Sequence, residues 1–221
     1  TICITGAGGS IGTELTLQII KLNPSRLILL DISEFNLYLL KEKLENTYSK
    51  NLKINYILGN AASGSLIKHI FKTYKVEIVF HVAAYKHVPI VEENPIEGLD
   101  NNINSTFTVA KFAEILKLKK MILISSDKAV RPTNIMGASK RLAELIVQSF
   151  ADKRSTSDAK TCFSIVRFGN VLASSGSVVP FFENQIKKGG PITVTHRDVM
   201  RYFMTIEEAA KLVIQSSSLA K

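Results

Sequence analysis

The stretch TICITGAGGSIGTEL, residues 1–15, constrains the fold more than any other part of the chain. An apolar run from Ile2 to Thr5 leads into glycines at positions 6, 9 and 12, and the pattern then predicts a helix from Ser10. Glycines between a strand and a helix permit a sharp turn and let backbone N–H groups approach a pyrophosphate, whose charge is favoured at a helix N-terminus. Gly6, Gly8, Gly9, Ser10, Ile11 and Gly12 are therefore candidate dinucleotide contacts. A glycine turn that merely packs helix on sheet would look the same in isolation. Asp31 separates the two readings: it closes the second apolar run 19 residues after Gly12, near the ~20 expected of a ribose-binding acid.

Asp31 also bears on which dinucleotide is bound. A carboxylate accepts hydrogen bonds from a ribose 2′-hydroxyl and repels a 2′-phosphate, and no arginine follows in DISEFN, so NAD is expected over NADP. The alternative for Asp31 is a helix cap or a solvated loop acid, although Ser33 would cap that helix equally well.

Apolar runs alternate with helical patterns along most of the chain. Strands are expected at Ile2–Thr5, Leu27–Asp31, Ile54–Leu58, Ile78–Val82, Met121–Ser125 and Phe163–Phe168, with helices from Ser10, Glu34 and Ser65, then at Asn104–Leu118 and Gly137–Phe150. Continuously apolar strands alternating with helices predict an α/β fold, a Rossmann-like doubly wound parallel sheet covered on both faces. Residues 1–168 are assigned to an NAD-binding Rossmann domain and 169–221 to a partial substrate-binding region, because loops and short segments replace the long units after Gly169. Asp152 to Ala159 reads as a polar surface loop. The helical pattern runs to Lys221 without a cap, which suggests a piece of a longer protein.

A hydrophobic share of 46% with 6 prolines is globular, and no run approaches the ~20 apolar residues of a membrane span. The expectation is a soluble, cytoplasmic body. Cys3 and Cys162 lie in apolar runs without metal-ligand spacing and read as buried thiols; no metal is expected. The net charge of +9 comes from lysines spread along the chain without interleaved aromatics. It reads as a solvated surface, not a nucleic-acid platform, and would also suit an anionic substrate or an acidic membrane nearby.

In a doubly wound sheet, ligands sit beyond the carboxyl ends of the strands. HVAAYKHVP (81–89), SSDK (125–128) and RFGN (167–170) are thereby expected around one crevice. Ala83 and Ala84 are small enough for a cofactor to come close. Lys86 and His87 are candidates for an anionic or hydroxylated substrate, His87 being equally readable as an ordinary loop histidine.

Together with the glycine pattern, the segments HVAAYKHVP, SSDKAVRPTNIMGASKRLAE, VRFGNVLASSGSVVPFF and GGPITVTHRDVMRYFMT resemble the extended short-chain dehydrogenase/reductase family. Within it they are similar to the polysaccharide-biosynthesis branch of UDP-N-acetylglucosamine 4,6-dehydratases. The resemblance implies that Ser126 lies near the sugar's 4-oxygen, that Lys140 holds the nicotinamide ribose, and that Asp127 and Lys128 are the elimination acid and base. The family tyrosine four residues before the lysine is Met136 here, as in the membrane-attached members of the branch. Asn60 replaces an aspartate that faces the adenine, and its amide oxygen can still accept that bond. Ser105 replaces a frequent glycine.

The reaction implied is oxidation at C4 by bound NAD, loss of water across C5 and C6, and return of the hydride to C6. Lys128 would serve at C5 if burial lowered its pKa, and Asp127 would protonate the leaving hydroxyl if its own were raised. Asp127 is also the first choice to take the O4 proton, which Met136 cannot. Asn170 and the 174–180 loop, with Ser174, Ser175 and Val179, are expected at the diphosphate and uridine, and Arg201 at the diphosphate. Each is alternatively a helix cap or surface group. A UDP-sugar substrate, a homo-oligomer, and attachment at the inner face of the plasma membrane through segments outside these residues complete the expectation. The rival readings are a UDP-sugar 4-epimerase, and a catalytically silent NAD- or sugar-nucleotide-binding module, for which Met136 is the best argument.

Overall fold

A computed structural model describes residues 1–47, 52–153, 161–172, 178–194, 196, 198, 200 and 202–219. Its main sheet joins β1 (Ile2–Thr5), β2 (Arg26–Asp31), β3 (Lys53–Leu58), β4 (Ile78–His81), β5 (Lys120–Ser126) and β6 (Cys162–Phe168). All are parallel, in the order β3-β2-β1-β4-β5-β6. This is the expected doubly wound sheet, with element ends shifted by a few residues from those read in the sequence.

Side chains alternate faces along each strand, so the apolar strands feed two cores. Ile4, Leu27, Leu29, Phe80, Ile122 and Ile124 point to one face. There they meet Leu15 and Ile19 of α1 (Ser10–Ile20) and Leu37, Leu40 and Leu44 of α2 (Glu34–Thr47). Cys3, Ile28, Leu30, Val79, Met121 and Leu123 point to the other. They pack on Ile67, Ile70 and Phe71 of α3 (Gly64–Tyr74). Two short helices follow the fourth strand, α4 (Val88–Glu93) and α5 (Pro95–Leu99), and then a wide π-turn, Asp100–Asn104, opens α6 (Ser105–Ile115). Val109 and Ala113 of α6, with Ala143 and Val147 of α7 (Ile135–Lys153), complete the second core. Both cysteines are buried and in no disulfide, and burial pushes the Cys3 thiol up to about 12.

The prolines account for what the sequence reading missed in α4, α5 and α8 (Val178–Lys187). Pro89, Pro95 and Pro180 fall in first turns, where a missing N–H disturbs no intrahelical bond. Helix α7 continues through Asp152 and Lys153; the rest of the expected polar loop lies outside the described residues. A two-stranded ribbon pairs β7 (Asn170–Val171) with β8 (Phe203–Met204). The last helix, α9 (Ile206–Leu219), packs back under the sheet, burying Ala210 and Val213 against the α1 side of the core. Among the described residues no helix is long and apolar enough to cross a membrane.

Candidate active site

Strand order reverses between β1 and β4, so the loops leaving them diverge and open a crevice at their carboxyl ends. Gly6 takes φ +66°, and a Cβ there would fall 2.6 Å from the backbone nitrogen of Ala83. A Cβ on Gly12 would fall 2.1 Å from the Gly6 oxygen, and one on Gly8 would strike Asn36 of α2 at 2.6 Å. Gly9 differs: nothing but the Gly6 oxygen, at 3.4 Å, stands near its Cβ position. Gly9 is also the N-cap of α1 and leaves that end without a side-chain cap. An open, positively polarised helix end, with Ser10, Ile11 and Gly12 in its first turn, is where a pyrophosphate fits.

Asp31 ends β2 beside this loop. Its two oxygens accept from the backbone nitrogens of Gly8 at 2.8 Å and Ser33 at 2.9 Å, which orients the carboxylate and leaves lone pairs for a ribose hydroxyl. Ser33, not Asp31, caps α2, accepting from the Asn36 nitrogen at 3.3 Å. The Gly59 nitrogen bonds the Asp31 carbonyl at 2.9 Å and brings Asn60 to the same edge. There the Asn60 side-chain oxygen accepts from the Ala62 nitrogen at 2.8 Å.

A buried hydrogen-bond chain that the sequence reading did not find supports the crevice floor. Thr106 donates its single hydroxyl hydrogen to the Asn102 carbonyl at 2.8 Å. Toward His81 Nε2, 3.1 Å away, it can therefore only accept, which assigns the proton to Nε2. The Thr5 hydroxyl then donates to Nδ1 at 2.7 Å and accepts from the Ala83 nitrogen at 3.4 Å. Burial, reinforced by the Lys140 charge, pushes His81 down to about 3, so it stays neutral. Ser105 is buried, with its hydroxyl 3.4 Å from the same Nε2. The π-turn rotates Asn102 inward, where its amide grips the Tyr85 nitrogen at 2.7 Å and oxygen at 3.0 Å and the Ser139 hydroxyl at 2.9 Å. A wide helical turn leading to a buried amide was the missed signal.

At the end of β5 the Ser126 hydroxyl donates to Asp127 Oδ1 at 2.8 Å and accepts from the Lys128 nitrogen at 3.2 Å, closing a short 3₁₀ turn, Asp127–Ala129. Lys128 Nζ reaches Asp127 Oδ1 at 3.1 Å and Asn170 Oδ1 at 3.2 Å. The β7–β8 pairing holds Asn170 there, through its nitrogen to the Tyr202 oxygen at 3.1 Å. Burial raises the Asp127 carboxyl, but the bonds from Ser126 and the Lys128 ammonium outweigh it and hold the group below the usual range. The condition set for Asp127 as a resting acid, a raised carboxyl, is thus not met: the Ser126 hydroxyl and the neighbouring Lys128 cation stabilise the charged form. The side chains of the pair are 50% and 32% exposed, so their attraction is worth at most ~1 kcal/mol and gives little reason for the pair on stability grounds.

Helix α7 delivers the remaining side chains. Asn134 caps it, its side-chain oxygen accepting from the Gly137 nitrogen at 2.7 Å. Met136 and Lys140 are both buried, one turn apart on the face toward the crevice wall. Lys140 Nζ donates to the Ile124 carbonyl at 3.1 Å. Burial, partly countered by Glu144, lowers Lys140 to about 8. Glu144, itself buried, accepts from Ser125, Arg141 and Arg167.

Lys86 and His87 stand at the exposed start of α4. Although Lys86 reaches solvent, partial burial lowers its ammonium, and burial and the Lys86 charge lower His87. Ala83 and Ala84 line the turn beside Gly6, and Val179 is half-buried in α8. Ser174, Ser175 and Arg201 lie outside the described residues.

A phosphate-ready glycine loop, an acid at the end of β2 and a Ser-Asp-Lys turn facing Met-xxx-Lys define an extended short-chain dehydrogenase/reductase. The chain belongs to the polysaccharide biosynthesis protein family, whose model matches residues 2–221. It is 46% identical over 221 residues to the capsular polysaccharide biosynthesis protein CapD of Staphylococcus aureus, and spans 36% of that protein. It is 36% identical over 217 residues to a UDP-glucose 4-epimerase of Rickettsia bellii, covering 97% of this chain and 61% of the epimerase. Among solved structures, Pen from Bacillus thuringiensis superposes with a TM-score of 0.91 at 37% identity, covering all of this chain and 65% of Pen. A dTDP-glucose 4,6-dehydratase from Streptomyces venezuelae, solved with NAD, shares the fold at a TM-score of 0.79 and 17% identity.

Proposed function

We propose that the full-length protein is an NAD-dependent UDP-N-acetylglucosamine 4,6-dehydratase of surface-polysaccharide biosynthesis. The observation that carries this reading is the Ser126–Asp127–Lys128 turn, hydrogen-bonded to Asn170 at the mouth of a nucleotide crevice. An epimerase needs no elimination acid and base, and a silent binding module would have no use for a half-exposed pair that adds little stability.

NAD fits the residues present: the open Gly9 position and uncapped α1 would receive its pyrophosphate, Asp31 its adenosine ribose, and Lys140 its nicotinamide ribose. When bound it supplies hydride acceptance at C4 and hydride donation at C6. The chain's own residues handle the protons. Asp127, held as a carboxylate, takes the O4 proton through the Ser126 hydroxyl. Once protonated it is the acid that the C6 hydroxyl needs to leave as water, so one proton serves both steps. This order removes the need for a carboxyl that is neutral at rest. Lys128, once its ammonium has lost a proton to solvent, is the neutral amine that takes the C5 proton and returns it after elimination. Met136 fills the space beside the nicotinamide and sugar without exchanging a proton.

Incubating the full-length protein with UDP-N-acetylglucosamine and weighing the product tests the reading. Loss of water is expected. A new sugar of unchanged mass would favour the epimerase, to which the Rickettsia relative gives specific support, and unreacted substrate would favour a binding module.

A further inference from the structure

Glu144 has one of the most demanding environments in the described chain, and the proton steps above make no use of it. Its side chain is 1% exposed, yet it carries a charge. Ser125 donates to Oε1 at 2.6 Å, Arg167 grips both oxygens at 2.7 and 2.5 Å, and Arg141 reaches Oε2 at 3.0 Å. The two arginines are 42% exposed, so only the carboxylate has been taken out of water. Burial raises it, but the bonds from Arg167, Ser125 and Arg141 outweigh that and keep it ionised.

Stability is a poor reason for such an arrangement. Desolvating a carboxylate is costly, and an apolar replacement of similar volume is often no worse. The partners are more telling. Ser125 immediately precedes Ser126 at the end of β5, Arg167 stands three residues before Asn170 near the end of β6, and Glu144 lies one turn beyond Lys140 on α7. The elements that carry Ser126 and Lys140, and the strand that leads to Asn170, thus meet at one carboxylate. The strand ends are also paired there, Ser125 opposite Arg167.

We propose that Glu144 is a positioning residue, a buried clasp that fixes the spacing of the β5 and β6 ends against α7 and so sets Lys128 and Asp127 at their distances from Asn170 and Lys140. It touches neither substrate nor cofactor. A displacement of about 1 Å at a reacting group costs on the order of 10²-fold in rate, which is the scale expected if the clasp opens.

The consequence for turnover rests on the dehydratase reading, so the experiment has an arm that does not. In the full-length protein, hydrogen exchange is compared among wild type, Glu144→Gln, Glu144→Asp and Ser125→Ala. Ser125→Ala removes a single bond and guards against a variant that simply fails to fold. Exchange should quicken in 121–129 and 162–171 for Glu144→Gln, and in 121–129 for Ser125→Ala, with β2 and β3 unchanged. With UDP-N-acetylglucosamine, kcat should fall on the order of 10²-fold for Glu144→Gln while KM stays near wild type, and Glu144→Asp should recover part of the loss. Unchanged exchange in both segments overturns the proposal, as does a kcat loss that only follows the unfolded fraction. A wild-type protein that removes no water would sink the dehydratase reading alone, because the exchange comparison would still decide the role of Glu144.

Discussion

Gly137 packs directly against Lys128: a Cβ on Gly137 would fall 2.4 Å from the Lys128 carbonyl oxygen. The first turn of α7 and the 3₁₀ turn of the Ser-Asp-Lys segment are therefore in backbone contact, and Gly137 is the residue that permits it. Gly137→Ala should push the two apart, costing ~1–3 kcal/mol of stability. Turnover should fall much more than NAD affinity, most of whose contacts, at the glycine loop and Asp31, lie in the other half of the crevice. Calorimetric NAD titration beside a steady-state assay checks this, and an equal loss in both would contradict it.

Asp31, oriented by Gly8 and Ser33, should set the choice of dinucleotide. NAD is expected to bind more tightly than NADP, and Asp31→Ala should narrow the gap. Equal affinities for the wild type in calorimetry would refute the assignment.

Lys128 as the C5 base predicts that product formed in heavy water carries deuterium at C5. Lys128→Met should stop elimination but spare the first hydride transfer, seen as persistent NADH absorbance. Complete turnover by that variant would remove Lys128 from the reaction.

Met136 and Asp127 should respond oppositely to conservative change. Met136→Leu preserves a buried apolar volume and should retain most turnover. Asp127→Asn removes the proton carrier and should cost on the order of 10² to 10⁴ in rate, at both C4 oxidation and elimination. Comparable damage from the two, in folded and NAD-loaded protein, would defeat this account of the site.

His81 should make the fold acid-sensitive well above its own titration. Its folded value of about 3 lies below the ordinary 6.5, so between those limits the unfolded chain binds the proton and the native state does not. Stability is fully present above pH 6.5 and is lost as pH falls toward 3. By pH 5 the loss from this group is ~2 kcal/mol. Urea unfolding at pH 7 and pH 5 measures it. His81→Gln should be less stable at pH 7 but show a smaller difference between the two, and an undiminished difference would show that other groups are responsible.

Periodicity and glycine spacing were enough to read from the sequence the alternation of strands and helices, the parallel sheet and the glycine turn between β1 and α1. These features are local: apolar repeats of about two or 3.6 residues and residues needed for unusual backbone geometry act within a few positions. The motif residues around the crevice were legible for the related reason that strand ends collect at one edge of a doubly wound sheet. Helices α4, α5 and α8 were not assigned from the sequence, because a proline can break a helix interior or start a helix, and only the finished turn distinguishes the two. The inward Asn102, the neutral Nε2–H form of His81, the lowered Asp127 and the Glu144 clasp were decided by tertiary structure alone. Each depends on which donors and charges from distant segments meet a group once water has been excluded, and that pairing, not the identity of the residue, sets its charge and orientation.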